Sequence, residues 1–312
     1  MKRTKEKPRF GGVLPQRESP RKPWLRRNWM WVLAALLAAV LIYCLAQWIG
    51  FGRQARETEQ ANQSLRDLHV EAEATQAPVP TAPAPSPSPD VTARPLPTAP
   101  PEAAPAAPTD APEKEFQFVG GEEDILPGMR KLYARNPDLV GWLKIPGVVD
   151  LPVVYRDNQY YLYRDFNGRD SIAGTLFLDS LHPLRAGTQQ LVIHGHNMKD
   201  GTMFGHLVRY LDRSFAAAHR TIQWTSLYRR ETYELVAVVL TSIDPKDARY
   251  IAYLGKARFA SEEGFQALMD AYRAQATYWP GAYITPGDAL LTLSTCRGDE
   301  RILVVARRVA AE

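Results

Sequence analysis

The sequence predicts a mainly β fold with added helices, a closed or nearly closed barrel, preceded by one transmembrane helix and a Pro-rich linker. Three observations carry this reading. From about residue 139 the chain is a series of short Val-, Ile-, Leu- and Thr-rich runs bounded by Gly, Pro, Asn and Asp, with few helical segments between them, the pattern of many short strands that close on themselves. Ahead of that series lie 13 prolines in the 36 residues from Ala77 to Pro112. Ahead of those, the 23 residues from Trp29 to Phe51 carry no charge.

In chain order, residues 1–28 hold ten Lys or Arg against Glu6 and Glu18, which makes the overall net charge of +4 a poor guide to the rest. No aromatic or glycine-rich pattern accompanies them, so this is a basic cytoplasmic tail and not a nucleic-acid footprint. Residues 29–51 are Leu, Ala, Val and Ile with Trp29, Trp31 and Trp48 near the ends. At 1.5 Å per residue they span roughly the 30 Å hydrocarbon layer with tryptophans at its interfaces. The run exceeds the h-region of a cleaved signal, which is about 7–15 residues. Ten basic residues before it, against Arg53 and Arg56 after it, orient the N-terminus to the cytoplasm and the rest outside. The chain is thus expected in the cell membrane as a single-pass protein.

Residues 52–76 form a polar stalk that could prolong the helix, with too few apolar positions for a coiled coil. Residues 77–115, rich in Pro and Ala, cannot bury a core and favour extended polyproline-II, so they read as a disordered linker and spacer. The folded domain is expected over 116–312. Its elements are a short helix in 122–136, stopped by Asn136-Pro137, then strands at 140–145 and at 148–155, the latter with Pro152 marking an edge or a bulge. Further strands are expected at 175–178 and 190–194, an amphipathic helix over 202–219, and two longer strands at 221–228 and 232–242. Ser261-Glu262-Glu263 starts a helix running to about Gln275.

The chain ends on two aliphatic runs around a polar segment containing Gly298-Asp299, the signature of a β-hairpin with a four-residue loop. Cys296 ends one strand and Arg301 begins the next. If they form the pair that closes the loop, thiol and guanidinium share one face with Cβ atoms about 5 Å apart. Only two cysteines exist, and Cys44 lies in the apolar helix, so Cys296 has no partner for a disulfide within the chain. A lone thiol in an exported domain is either buried or used.

A thiol nucleophile needs a base or ion-pair partner and donors for the developing oxyanion. Of six histidines, His69 is in the stalk, His182 lies beside Pro183, and His206 and His219 fall in the amphipathic helix. His194-Gly195-His196 sits where an apolar strand opens into a polar loop, the usual place for functional side chains. A His-x-His pair can also hold a metal, but no Cys, Asp or Glu cluster at ligand spacing completes such a site.

The segments Asn136–Gly147, Leu151–Val154, Asp157–Leu162, Gly174–Asp179, Gly195–Phe204 and Thr292–Cys296, in this order and spacing, resemble a class B sortase. That family comprises membrane-anchored cysteine transpeptidases of Gram-positive cell surfaces. The resemblance covers about residues 122–309 and implies a sortase-type barrel, no cofactor and no metal. It puts the catalytic histidine on His196, the nucleophile on Cys296 and the catalytic arginine on Arg301, with Arg297 as rival. Ser294 and Thr295 would help to bind the sorting peptide. The implied reaction cleaves a C-terminal sorting signal of secreted proteins, Asn-Pro-x-Thr-like, through a thioacyl-enzyme. The acyl group then passes to an amine of a peptidoglycan precursor or a pilin. The connection from Cys296 to Arg301 is shorter than usual for the family, and Gly298 stands where some members carry an acid. Alternatives are another cell-wall cysteine peptidase or transpeptidase, or a non-catalytic stalked surface domain. Papain-like enzymes place Cys before His, however, and L,D-transpeptidases keep the two close, whereas His196 precedes Cys296 by 100 residues.

Overall fold

A computed structural model describes residues 24–74, 124–182, 188–281 and 284–311. The proline-rich segment and most of the basic tail lie outside the described residues. The chain divides into two units, Met1–Arg53 and Gln54–Glu312.

In the first unit, helix α1 begins; it spans Trp24–Ala74, with one non-helical residue at Asn28. Its apolar stretch exposes Trp31, Leu41, Ile42 and Tyr43 alike. A helix apolar all round and not covered by protein is one suited to lipid, and this one is long and apolar enough to cross a membrane.

The second unit is built on nine strands: β1 (Leu139–Ile145), β2 (Val149–Val154), β3 (Leu176–Leu178), β4 (Gln190–His194), β5 (Thr221–Ser226), β6 (Arg230–Ser242), β7 (Ala276–Tyr278), β8 (Leu290–Arg297) and β9 (Glu300–Ala311). They hydrogen-bond in the order β5-β1-β2-β3-β4-β8-β9-β6-β7, and β5 also pairs with β6. That extra pairing closes eight strands into a barrel and leaves β7 outside, on β6. Closure removes the exposed edges an open sheet would carry. Alternate residues of β4, β8 and β9 then divide between two environments. Leu191, Ile193, Leu291, Leu293, Ile302 and Val304 fill the interior. Val192, Leu290, Leu303 and Val305 face outward, under Phe265, Leu268, Met269 and Tyr272 of helix α4 (Glu262–Gln275). The α4 start is as the sequence indicates: Ser261 Oγ accepts from the Gly264 N–H.

Three local expectations change. Helix 202–219 is not continuous: a 3-10 segment, Gly205–Leu211, stops at Asp212, and a short α3 (Arg213–Ala218) follows. Asp212 takes an extended conformation and its carboxylate accepts from the N–H groups of Ser214 and Phe215. That cap starts a new helix inside a periodic pattern. Pro152 does not mark an edge strand, since β2 lies between β1 and β3, but the other half of the expectation, a bulge, has a counterpart: the β1–β2 register slips between Leu139 and Gly141, opposite Val154 and Val153. However, β3 meets β2 only at Val153 and Val154, so beside Pro152 that flank carries no ladder for the missing N–H to break. The β8–β9 loop has two residues, not four, because Arg297 pairs with Glu300. Gly298 takes a φ of 60°, which a two-residue hairpin turn of this kind requires at its first position.

The helical stalk carries an apolar face that its few apolar residues do not announce. Leu65 is 1% exposed and packs with Met129 and Leu132 of α2 (Pro127–Arg135) and with Trp142. The His69 ring stacks on Trp142 at 4.4 Å, and Arg66 donates to the Asp150 carbonyl at 3.0 Å. Both flanks of the proline-rich segment, the end of α1 and the chain from Asp124, therefore belong to one folded unit. Leu65→Ala in protein starting at Gln54 is expected to cost about 2–4 kcal/mol of unfolding free energy, as other buried leucines do. A loss below about 0.5 kcal/mol by urea denaturation would mean the helix stands off the barrel.

Candidate active site

Cys296 lies at the exposed end of β8 on the outer face, the face of Leu290, Thr292 and Ser294. It pairs directly with Arg301 of β9, so the sequence expectation of a thiol opposite a guanidinium is met. Arg301 is half-buried and makes no hydrogen bond or ion pair among the described residues. Arg297 differs on both counts: it is exposed and held by Glu300 at 2.9 Å. Of the two arginines, Arg301 is the one opposite Cys296 in the ladder and without an ion pair among the described residues.

His196 follows β4, the strand on the other side of β8 from β9. Strands β4 and β8 run parallel with His194 opposite Ser294, so the loop that follows β4, with His196, leaves the sheet on the side of β8 that ends in Cys296. The formal strand ends at His194, yet three bonds continue the pairing. Gly195 N–H donates to the Ser294 carbonyl at 3.3 Å, Thr295 Oγ1 donates to the Gly195 carbonyl at 2.8 Å, and Asn197 Nδ2 donates to the Cys296 carbonyl at 2.9 Å. The His196 carbonyl accepts from Phe204 N–H, which fixes the loop from its far end. Glycine is needed at 195 because a Cβ there would meet Leu176 at 2.4 Å and the Phe204 ring at 2.8 Å. The His196 ring donates from Nε2 to the Leu162 carbonyl at 2.8 Å, leaving Nδ1 as the nitrogen that can exchange a proton.

The two histidines of the His-x-His pair have separate partners. His194 is buried and donates from Nε2 to Asp179 at 2.9 Å; the other Asp179 oxygen accepts from His182 Nδ1 at 3.1 Å. Burial alone would raise the Asp179 carboxyl, but the bonds from His182 and His194 outweigh it and hold the group ionised, well below the usual carboxylate range. Burial pushes the His194 ring down, against the pull of Asp179 and with the Arg301 charge adding to the effect. A neutral His194 over a buried carboxylate thus underlies the outer face on which Arg301 sits.

Ser294 and Thr295 are both fully buried. The Ser294 hydroxyl shares a hydrogen bond with Tyr253 at 3.0 Å, and that of Thr295 is committed to Gly195. Both therefore stand behind the thiol. Tyr253 belongs to the β6–α4 connection and lies within electrostatic range of Arg301, Asp179 and Cys296. Asp179 and Asn197 fall inside matched segments, Gly174–Asp179 and Gly195–Phe204, without a role of their own being assigned, and Tyr253 carries no motif signal in the sequence. Only the last residue of β4, flanked by a polar loop, hinted that Asn197 would lie near chemistry.

No family model matches the chain. Among curated proteins, sortase B of Listeria monocytogenes is 32% identical over 180 residues, covering 57% of this chain and 70% of the relative. The chain belongs to the sortase B family. Sortase B of Staphylococcus aureus is 29% identical over 204 residues, 62% of this chain and 81% of the relative. Among solved structures, a Bacillus anthracis protein described as similar to sortase B aligns with a TM-score of 0.54 at 29% identity, covering 61% of this chain and 86% of that one. The Staphylococcus aureus sortase B–substrate complex aligns at 0.52 and 26% identity, covering 59% and 86%. This sortase is accordingly a cysteine transpeptidase with the eight-stranded sortase barrel.

Proposed function

We propose that Cys296 is the nucleophile, His196 the proton donor and acceptor, and Arg301 the oxyanion partner. The substrates we infer are secreted proteins with an Asn-Pro-x-Thr-like C-terminal sorting signal. The observation that carries this reading is the exposed Cys296 thiol between two neighbours on adjacent strands, His196 beyond β4 and the unpaired Arg301 on β9. The thiolate attacks the threonine carbonyl, and the charge that develops on oxygen falls to Arg301. As the tetrahedral intermediate collapses, the C–N bond breaks and His196 protonates the departing amine. The thioacyl-enzyme is then opened by an amine of a peptidoglycan precursor or a pilin: the amine nitrogen bonds to the acyl carbon, its proton passes to His196, and the thiolate leaves.

Ser294 and Thr295, proposed from the family resemblance to bind the sorting peptide, would act through the backbone next to Cys296, because their hydroxyls are committed to Tyr253 and to the Gly195 carbonyl. Residues 29–51 would anchor the enzyme in the membrane, with the N-terminus cytoplasmic and the catalytic domain outside. The experiment is turnover of a panel of pentapeptide signals by protein from Gln54 onward, with and without an added amine. An Asn-Pro-x-Thr peptide should be cleaved, and the amine should appear in the product; cleavage of none of the panel would reject the substrate class.

Asn197 supplies a finer test. Its bond to the Cys296 carbonyl is exposed, so removing it should hardly alter stability while loosening the spacing of the thiol and imidazole. Asn197→Ala is expected to lower kcat about tenfold with KM little changed, since small misplacements of reacting groups are costly. An unchanged kcat would leave Asn197 outside the working geometry.

A further inference from the structure

We propose that Asp179 is a positioning residue for the reaction: its buried carboxylate ties the strand that leads into His196 to the segment on which the His196 ring is hung, and so sets the orientation and tautomer of that ring. This rests on the assignment of His196 above. The imidazole is held from two directions. Its backbone follows β4 directly, two residues past His194, and its Nε2–H ends on the carbonyl of Leu162 in the β2–β3 connection. The ring keeps one orientation only while β4 and that connection keep one distance.

Asp179 spans that distance. Its N–H donates to the Val192 carbonyl at 2.8 Å, which carries the β3–β4 pairing past the end of β3. One carboxylate oxygen, Oδ2, accepts from His194 Nε2 on β4 at 2.9 Å and from Asn158 Nδ2 in the β2–β3 connection at 3.0 Å. The other, Oδ1, accepts from the Leu181 N–H at 2.9 Å and from His182 Nδ1 at 3.1 Å. Asn158 is fixed in return, since its Oδ1 accepts from the Ser180 N–H at 2.8 Å. The start of β3 holds the far end of the same connection. Thr175 N–H donates to the Tyr161 carbonyl at 3.0 Å, and a Cβ at Gly174 would meet the carbonyl oxygens of Tyr161 and Leu162 at 2.5 and 2.6 Å. With glycine there, the Leu162 carbonyl keeps the place that the imidazole needs.

The choice of a charged group fits this task. The Asp179 side chain is 1% exposed, and a buried charge is costly unless its acceptor positions are filled. Four donors converge on its two oxygens. An amide of the same shape has one oxygen and would turn its N–H2 against two of those donors. Stability alone is served as well by apolar packing. A carboxylate adds short, directional bonds, and so a fixed spacing, between two chosen segments. Asp179 acts on the imidazole only through His194 and Asn158, one on each side of it.

The experiment uses protein from Gln54 onward, whose division from residues 1–53 follows the two units of the chain. Cleavage of an Asn-Pro-x-Thr pentapeptide, thermal denaturation and the ¹⁵N shifts of the His196 ring are followed in Asp179→Asn and Asn158→Ala. In the parent the ring should carry its proton on Nε2. Asp179→Asn is expected to lower kcat about 10²-fold, the scale of a reacting group misplaced by about 1 Å, and Asn158→Ala about tenfold. In both, KM should stay within about twofold and the ring should become a mixture of tautomers. Should Asp179→Asn not fold, Asn158→Ala decides, because that side chain is half-buried and its loss leaves the other three bonds to Asp179 in place. A lower melting temperature with kcat and tautomer unchanged would reduce Asp179 to a stabilising residue and overturn the proposal. So would a rise in KM with kcat unchanged, or no change at all. His196→Asn run alongside separates the two readings: if it turns over like the parent, the assignment of His196 is wrong, and if it is slow while both variants match the parent, only the positioning role fails.

Discussion

Arg301→Ala is expected to reduce cleavage of a sorting peptide by about 10²–10³-fold, the usual loss when one oxyanion donor is removed. Arg297→Ala is expected to stay within about threefold of the parent, as befits the loss of an exposed ion pair. The contrast follows from the hairpin. Both arginines lie within five residues of Cys296, but neighbouring residues on a strand point to opposite faces, so Arg297 turns away from the sulfur and into Glu300. Arg301 pairs with Cys296 across the ladder, and its guanidinium has no ion pair among the described residues. Arg301→Lys should recover little, because a flexible ammonium does not offer the planar fork of donors. The measurement is kcat/KM for peptide cleavage in the three variants. Full activity in Arg301→Ala, or loss in Arg297→Ala, would reverse the assignment.

His196→Asn is expected to lose about 10²–10⁴ in kcat, the range for removal of a positioned general acid and base. Asparagine keeps an N–H donor that can reach toward the Leu162 carbonyl, yet it cannot carry a proton to the leaving amine. His194→Asn distinguishes this from the neighbouring ring. His194 is bonded to buried Asp179, so its replacement should show mainly as lost stability, measured by thermal denaturation, with residual turnover well above that of His196→Asn. Equal turnover in His196→Asn and the parent, with an amine present, would strip His196 of its role.

The elements that position the site were legible because their signals are local. An apolar run ending in a polar loop marks β4, and two aliphatic runs about Gly298-Asp299 mark β8 and β9. Once that hairpin is drawn, the pairing of Cys296 with Arg301 follows from counting residues. Where the reading departed from the structure, a second local preference or a distant contact decided. Asp212 caps a new helix within an amphipathic pattern that periodicity alone reads as continuous. The three-residue β7 is too short to carry an alternation, and forms because α4 delivers it to the flank of β6. The stalk reads as polar because one leucine, one histidine and one arginine suffice for its contact with the rest of the unit, and their partners, from Met129 to Asp150, lie more than 60 residues away.

The site's supporting residues were hidden for the same reason. Asp179, His194 and His182 meet only when β3 and β4 pair, and Asn197 reaches Cys296 across 99 positions of sequence. Ser294 and Thr295 stand out in the sequence only by their nearness to the thiol. Strand alternation sends Thr295 inward, and Tyr253 covers Ser294 from a segment that no motif singles out.

Formation of a covalent intermediate tests the central claim most directly. Protein from Gln54 onward, incubated with a sorting peptide in the absence of amine and quenched in acid, should gain the mass of the peptide's acyl portion. Tandem mass spectrometry should locate that mass on Cys296, and hydroxylamine should remove it. A product formed with no adduct on Cys296, or with an adduct on another residue, would contradict it.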